Sequence, residues 1–263
     1  ARTLIADRIQ VHPRYVRAVD IERDLTDPAS LEGYILTSRA REALMRLSTG
    51  LSKSSTQRAF RLTGPYGSGK SSIGLLLAKL AGDAAWKAEE IISPVLGKSG
   101  LPDCEILVLT GSRTSLARDL LNAVGEKASA LFGEDSEIAS QCGQLRSADN
   151  ANTISTKAVL SHLTRLGAAI AEADGRSLLV LVDEMGRYLE YAAAHPRSED
   201  PALFQQLAER ASGRAHPALG VVAFLHHRFD DYLGSSEGGT SQEWARSAER
   251  YEEIAFSEPR EQA

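Results

Sequence analysis

The sequence predicts an α/β protein built in three layers, with a central parallel sheet of about five strands flanked by helices. Short apolar runs alternate along the chain with segments whose apolar residues recur at helical spacing. No internal repeat or low-complexity tract interrupts this alternation. The length of 263 residues and the hydrophobic content of 43% suffice for a real core, in one large domain or two small ones.

Apolar runs and turn residues place the elements of this fold. Residues 155–175 are predicted to form a helix, because Val159, Leu163 and Ile170 fall on one face that must pack on the sheet. The predicted strands are residues 58–63, 104–110, 177–183, 220–226 and 252–256. The predicted loops, rich in turn-forming residues, are 93–103, 133–152 and 234–241.

The N-terminal part of the chain lacks this alternation. We interpret residues 11–31 as an irregular lead-in and predict a helix over residues 38–47. The chain is therefore divided into an N-terminal extension, residues 1–57, which is mainly helical or irregular, and a core, residues 58–263, which contains the sheet.

A glycine-rich stretch between the first predicted strand and the next helix matches the pattern GxxxxGK[ST]. In such a loop the glycines let backbone N–H groups turn toward phosphate oxygens, while the following helix offers its positive N-terminal end. The stretch predicts a P-loop NTPase fold that binds a nucleotide. The predicted nucleotide-binding residues are Gly64, Pro65, Tyr66, Gly67, Ser68, Gly69, Lys70, Ser71 and Ser72.

Two side chains of this loop have predicted roles in the chemistry. Lys70 would neutralise the β and γ phosphates, and the hydroxyl of Ser71 would be a ligand of Mg²⁺. The alternative is a glycine-rich turn between a strand and a helix, with a lysine that is only solvated. The flanking sequence favours the nucleotide, because an apolar strand ends at Thr63 and an apolar helix follows the loop.

A second candidate segment is the apolar run 178–182, which is followed by Asp183 and Glu184. The run predicts a buried strand whose carboxyl end carries Asp183, where ligands of parallel sheets gather. Asp183 would hold Mg²⁺ through water, and Glu184 would orient and deprotonate a water aimed at the γ-phosphate. Alternatively, both acids cap the helix predicted over Met185–Ala194, since acids are favoured in a first turn.

With both motifs, the chain resembles the AAA+ group of P-loop ATPases over residues 58–258. The resemblance implies that a polar sensor at the end of the next strand touches the γ-phosphate or the attacking water. His226, in the stretch FLHHR, is the corresponding residue here. The group usually has Asn, Thr or Ser at this position, and His226 and His227 could instead be turn residues.

The resemblance also implies an arginine finger that reaches the nucleotide of a neighbouring subunit. The segment around Arg250 is similar to the corresponding junction in clamp loaders, with Arg246 as the substitute. An arginine finger predicts self-association. Alternatively, Arg250 pairs with Glu249 or Glu253 on an exposed helix, as most surface arginines do. The helical lid that normally follows is absent from this sequence, which we interpret as a piece of a longer polypeptide.

The stretches GPYGSGKSS, VLVDEMGRYLEYAA and FLHHRFDDY resemble the ATPase portion of large bacterial proteins that defend against phage. This resemblance implies DNA or defence-system proteins as partners. It also implies that the lead-in helps to enclose the adenine. Three classes of function remain open from the sequence: a motor, a slow signalling switch of the STAND kind and a small-molecule kinase. The absence of an Asn-Lys-x-Asp motif favours ATP over GTP.

Composition limits the remaining classes of function. The net charge of -5 argues against a surface that binds nucleic acid everywhere, although residues 33–80 are rich in Lys and Arg. Cys104 and Cys142 lack metal-ligand spacing and are interpreted as reduced structural thiols. No apolar run approaches the ~18 residues of a membrane span and no signal peptide is recognisable, so a cytoplasmic location without a membrane partner is predicted.

Overall fold

The structure is a computed structural model that describes residues 18–87, 92, 94–96, 100–148, 154–196, 199–216, 218–227 and 247–256. Its strands are β1 (Ala59–Thr63), β2 (Cys104–Thr110), β3 (Ser177–Asp183), β4 (Leu219–Leu225) and β5 (Glu252–Ala255). Its helices are α1 (Ile21–Leu25), α2 (Ser38–Gly50), α3 (Lys70–Gly82), α4 (Ala84–Lys87), α5 (Leu116–Phe132), α6 (Glu137–Ala148), α7 (Thr156–Asp174), α8 (Met185–Ala194) and α9 (Ala202–Ala211).

The strands form one parallel sheet in the order β2-β3-β4-β1-β5. The predicted three-layer α/β fold with the P-loop arrangement of strands is therefore confirmed. Each predicted strand is present, with ends that differ by one residue at most. Because all strands run in the same direction, the residues that follow β1, β3 and β4 meet at one edge of the sheet. This edge contains the candidate site.

The central strands β3 and β4 are buried along their whole length, because helices cover both faces of the sheet. Successive residues of β3 point to opposite faces. Val180 and Val182 pack in the core formed with α5, α7, α8 and α9. Leu179 and Leu181 pack in the core formed with α1, α2 and α3. This burial on both sides explains why the strand is a continuous apolar run.

The predicted loop over residues 133–152 is wrong, since α6 occupies Glu137–Ala148. The helix mixes apolar residues with Ser, Gln and Gly in about equal numbers. Ile138, Ala139 and Cys142 nevertheless lie at helical spacing and are buried against α5 and α7. Close packing is allowed at Gly125 of α5, where an added Cβ would lie 3.0 Å from Cβ of Cys142. Tertiary packing stabilises a helix that local composition does not favour.

The described part of the extension packs on the sheet. Ile21 of α1 and Leu44 and Leu47 of α2 are buried in the same core as β1 and α3. Helix α1 approaches α3 at Gly74, where an added Cβ would lie 2.7 Å from Cδ1 of Ile21. Lys79 of α3 donates hydrogen bonds to backbone carbonyls of the lead-in. The division of the chain at residue 57 remains a prediction.

Both cysteines are buried and free, as predicted. Burial raises the pKa of the Cys104 thiol to about 12 and also raises the pKa of Cys142. Neither thiol is a reactive thiolate at neutral pH. The predicted loop 234–241 lies outside the described residues, and the described residues of the predicted loop 93–103 form no helix or strand.

Candidate nucleotide site

The phosphate loop leaves the end of β1 in a tightly packed position. The N–H of Gly64 donates to the carbonyl of Leu225 in β4 at 3.1 Å. A Cβ at residue 64 would lie 1.9 Å from the carbonyl oxygen of Phe256, so only glycine fits there. At the other end of the loop, Gly69 has φ 88 and serves as the N-cap of α3. Gly64 and Gly69 are therefore required by this fold, the first because a Cβ has no space and the second because its φ is positive.

Lys70 is the first residue of α3 and is 5% exposed. Its ammonium group donates to the carbonyl oxygens of Gly64 at 2.6 Å and Pro65 at 2.8 Å. Burial lowers the pKa of Lys70, and the nearby carboxylates of Asp183 and Glu184 oppose this shift. The lysine thus bonds to its own loop at a place where phosphate oxygens could replace these carbonyls. Lys70 is therefore not solvated, and its role toward phosphates remains a prediction.

Asp183 is the last residue of β3 and is 7% exposed. Burial raises its pKa, and hydrogen bonds from the Ser71 hydroxyl and the Glu184 N–H oppose that shift. Ser71 and Asp183 are thus close enough to share one ion. No group of three or more His, Cys, Asp or Glu in the described residues could hold a metal. Mg²⁺ fits this pair, because it binds through few protein oxygens and completes its shell with water and phosphate.

Glu184 has an unusual backbone conformation. Its φ of 52 and ψ of 37 lie in the left-handed region, which costs roughly 1–2 kcal/mol for a residue with a Cβ. A Cβ at Gly111 would lie 2.2 Å from the Glu184 carbonyl oxygen, so the loop after β2 packs closely against this turn. Glu184 is the N-cap of α8, but its side chain forms no cap hydrogen bond. The alternative that the Glu184 side chain caps the helix is therefore wrong.

Among the described residues, the Glu184 carboxylate has two side-chain partners. His226 lies directly after β4, and its Nε2 is 2.8 Å from Oε1 of Glu184. Arg187, one turn into α8, lies 3.3 Å from Oε2 of the same carboxylate. The structure thus brings the predicted sensor together with the predicted base. The role of each remains a prediction, and the sequence did not single out Arg187.

Most of the predicted residues line one open cleft of about 340 Å³, whereas Gly64, Pro65 and Ser68 are not part of its lining. The cleft contains Tyr66 and Ser72 of the loop, and the carboxylate pair after β3. The sequence reasoning missed Thr110, which also lines it. Its position at the end of β2 was a usable signal, because the ends of parallel strands meet. Residues 18–20 of the lead-in line the same cleft, whereas the predicted enclosure of adenine stays a prediction.

Arg250 lies far from this cleft. It precedes β5, and its carbonyl accepts from Gln57 just before β1, so it is at the opposite end of the strands from the phosphate loop. Its guanidinium pairs with Glu209 of α9 at 3.1 Å, and not with Glu249 or Glu253 as the alternative predicted. Any contact with a nucleotide would have to be made in another subunit. The substitute finger, Arg246, lies outside the described residues.

Replacing Asp183 with Asn is expected to stabilise the protein by about 1 kcal/mol at neutral pH. The burial that raises the Asp183 pKa makes its ionised form costly in the folded state, and Asn keeps the acceptor without the charge. The stabilisation should shrink as the pH falls through the raised pKa toward 3.8, since both states are then protonated. Urea unfolding of both proteins across this pH range measures it. Equal stability at neutral pH would contradict the prediction.

The chain has a three-layer α/β fold, and its single parallel sheet carries a glycine-rich loop at the carboxyl edge. None of the described helices combines the length and apolar character that crossing a bilayer requires.

Comparison with known proteins shows no family that matches the chain and no similar curated protein. Among solved structures, the chain is similar to one in the structure of Drosophila ORC bound to AT-rich DNA and Cdc6. The TM-score is 0.36 and the identity 11%, over 86% of this chain. The match spans 61% of that chain, which is less than two thirds of its length.

Proposed function

We propose that the chain is an AAA+-like module that binds ATP and hydrolyses it with Mg²⁺, and so powers or switches a larger bacterial assembly. One observation carries this proposal. The carboxyl edge of the sheet places Lys70 and Ser71 beside Asp183 and Glu184 within a single cleft. A phosphate-binding loop, a pair of magnesium ligands and a carboxylate base are the groups that ATP hydrolysis requires.

Binding would depend on the loop and its lysine. The N-terminus of α3 points at the loop, where it favours an anion. Phosphate oxygens would accept the hydrogen bonds that the Lys70 ammonium now donates to Gly64 and Pro65. Mg²⁺, held by the Ser71 hydroxyl and by Asp183, would neutralise part of the phosphate charge.

Hydrolysis is favoured over transfer to a second substrate by two features. Glu184 lies beside the proposed magnesium ligands, where a carboxylate can accept a proton from water. Strand β4 separates β1 from β3, whereas nucleotide kinases of this superfamily usually have the two motif-bearing strands side by side. A kinase would also have no need of a second acid at the end of β3.

Replacing Lys70 with Ala is expected to remove ATP binding, because the loop loses the cation that faces the phosphates. A loss of at least about tenfold in affinity is expected for one charge-assisted contact. Isothermal titration with MgATP measures it. Lys157→Ala, at an exposed lysine of α7, is the matched control and should bind as the wild type does. Unchanged affinity in the Lys70 variant would exclude the loop as the phosphate site.

A slow nucleotide-dependent switch is the second candidate. Lys70 bonds to its own loop and Glu184 bonds to His226, so both groups have intramolecular partners without nucleotide. These contacts favour a resting state that turns over slowly. Turnover and particle size with ATP, with and without DNA, separate the two candidates. A ring whose hydrolysis DNA stimulates supports the motor, and bound nucleotide with little turnover supports the switch.

The proposed partners follow from the resemblance alone. Self-association would use Arg250, which would have to exchange Glu209 for the phosphates of a neighbouring subunit. DNA or defence-system proteins are the proposed targets of the module, and the cytoplasm is its proposed location. Light scattering at rising protein concentration, with ATP, tests the assembly step. A chain that stays monomeric with ATP contradicts the finger.

A further inference from the structure

Tyr66 at the tip of the phosphate loop stacks on His226. The ring centroids are 3.4 Å apart and the interplanar angle is 20°. The contact joins the loop after β1 to the residue that follows β4, although the two residues are far apart in the sequence. Tyr66 itself is 71% exposed, so burial does not hold its ring in place. Its ring therefore needs an explanation other than core packing.

The stack reaches Glu184 through His226. The imidazole Nε2 lies 2.8 Å from Oε1 of Glu184, and the His226 side chain is 14% exposed. The other partner, Arg187, is 50% exposed at its side chain and is therefore a looser restraint. The left-handed turn determines where the Glu184 Cβ lies. Of the two side-chain partners, the less exposed imidazole then restrains the orientation of the carboxylate more than Arg187 does.

We propose that Tyr66 is a positioning residue for Glu184 and acts through His226. This inference rests on the proposed ATP hydrolysis. The Tyr66 ring packs flat against the imidazole of His226 and fixes its orientation. In that orientation Nε2 points at the Glu184 carboxylate. Tyr66 also adjoins Pro65, whose carbonyl accepts from Lys70 at 2.8 Å. A phosphate that draws Lys70 away changes the backbone beside Tyr66, so occupancy of the loop is linked to the orientation of Glu184.

Replacing Tyr66 with Ala is expected to lower kcat roughly tenfold, the upper range for loss of one aromatic pair, with the Kd for ATP nearly unchanged. Tyr66→Phe should recover most of kcat, because its ring can stack in the same way. If Tyr66→Ala instead raises KM and leaves kcat intact, Tyr66 only contacts ATP and the proposal is overturned. Failure of Phe to recover kcat would also overturn the proposal.

A matched control exists on α8. Tyr191 stacks on His195 with centroids 4.0 Å apart and an interplanar angle of 22°, away from the cleft. Tyr191→Ala removes a similar stack and should leave kcat unchanged. In a His226→Ala background, Tyr66→Ala should add no further loss, because the intermediate residue is already gone. Additive losses would contradict action through His226.

A readout without turnover separates this proposal from the proposed function. The ring protons of His226 should be shifted upfield in NMR spectra of the full chain by the stacked Tyr66, and the shift should vanish in Tyr66→Ala. An unchanged His226 signal overturns the stack. If the wild type hydrolyses ATP and Tyr66→Ala keeps its full kcat, this role alone fails. If the wild type shows the stack but no turnover, the proposed function fails and this role with it.

Discussion

Replacing Glu184 with Gln is expected to abolish ATP hydrolysis while ATP still binds. Gln keeps the size of Glu184 and one acceptor oxygen, so the contact with His226 can persist. It cannot accept a proton from water, and loss of a positioned base lowers the rate by ~10² to 10⁴. Single-turnover hydrolysis of radiolabelled ATP, alongside binding measured by titration, separates the two effects.

A second carboxylate of α8 provides the control for this prediction. Glu190 is half-exposed and lies 3.5 Å from Arg113, away from the phosphate loop. Glu190→Gln removes the same charge from α8, the helix that follows Glu184, and should leave both binding and turnover unchanged. If both variants lose activity, the charge of α8 and not the base is responsible. Full turnover in Glu184→Gln would remove Glu184 from the mechanism.

Replacing Arg58 with Met is expected to destabilise the fold by about 3 kcal/mol. Arg58 is 1% exposed, and burial lowers its pKa. Its guanidinium donates to backbone carbonyls of three segments, namely those of Leu219 at 3.1 Å, Gly213 at 2.7 Å and His216 at 3.2 Å, and that of Ser55. Met fills much of the same volume but leaves these buried acceptors without donors.

Urea unfolding measures this loss as a lower midpoint at an unchanged slope. Arg39→Met is the control, because Arg39 forms an exposed pair with Glu42 at 3.2 Å that is worth less than about 1 kcal/mol. ATP affinity at low temperature should survive in Arg58→Met, since the residue lies at the amino-terminal end of β1 and the site at its carboxyl end. An Arg58 variant as stable as the control would contradict the proposed anchoring.

The elements that the sequence predicted well are those whose signal is local. Strand β3 could be recognised because burial on both faces demands a continuous apolar run, which residues 178–182 supply. The phosphate loop could be recognised because its glycines serve backbone turns that few other residues allow. Helix α6 was missed because its stability comes from packing against α5 and α7, and a polar segment with Gly143 contains little of that information.

The contacts around the candidate base had no local signal. Nothing in the sequence links Tyr66 to His226 or Arg250 to Glu209, because each pair joins segments that only the folded sheet brings together. The same applies to Arg58, which the sequence placed at the start of a strand and the structure shows as a buried donor to the first residue of β4 and to two loops.

The sequence by itself determined the class of fold, the order of the strands along the chain and the two motifs. These depend on residue type, spacing and hydrophobic period, which a single chain displays directly. Only the tertiary structure decided that β4 lies between β1 and β3, that Ser71 hydrogen-bonds to Asp183, and that Glu184 adopts a left-handed turn against Gly111. Those facts arise from the way strands pair and loops pack, which no local pattern encodes.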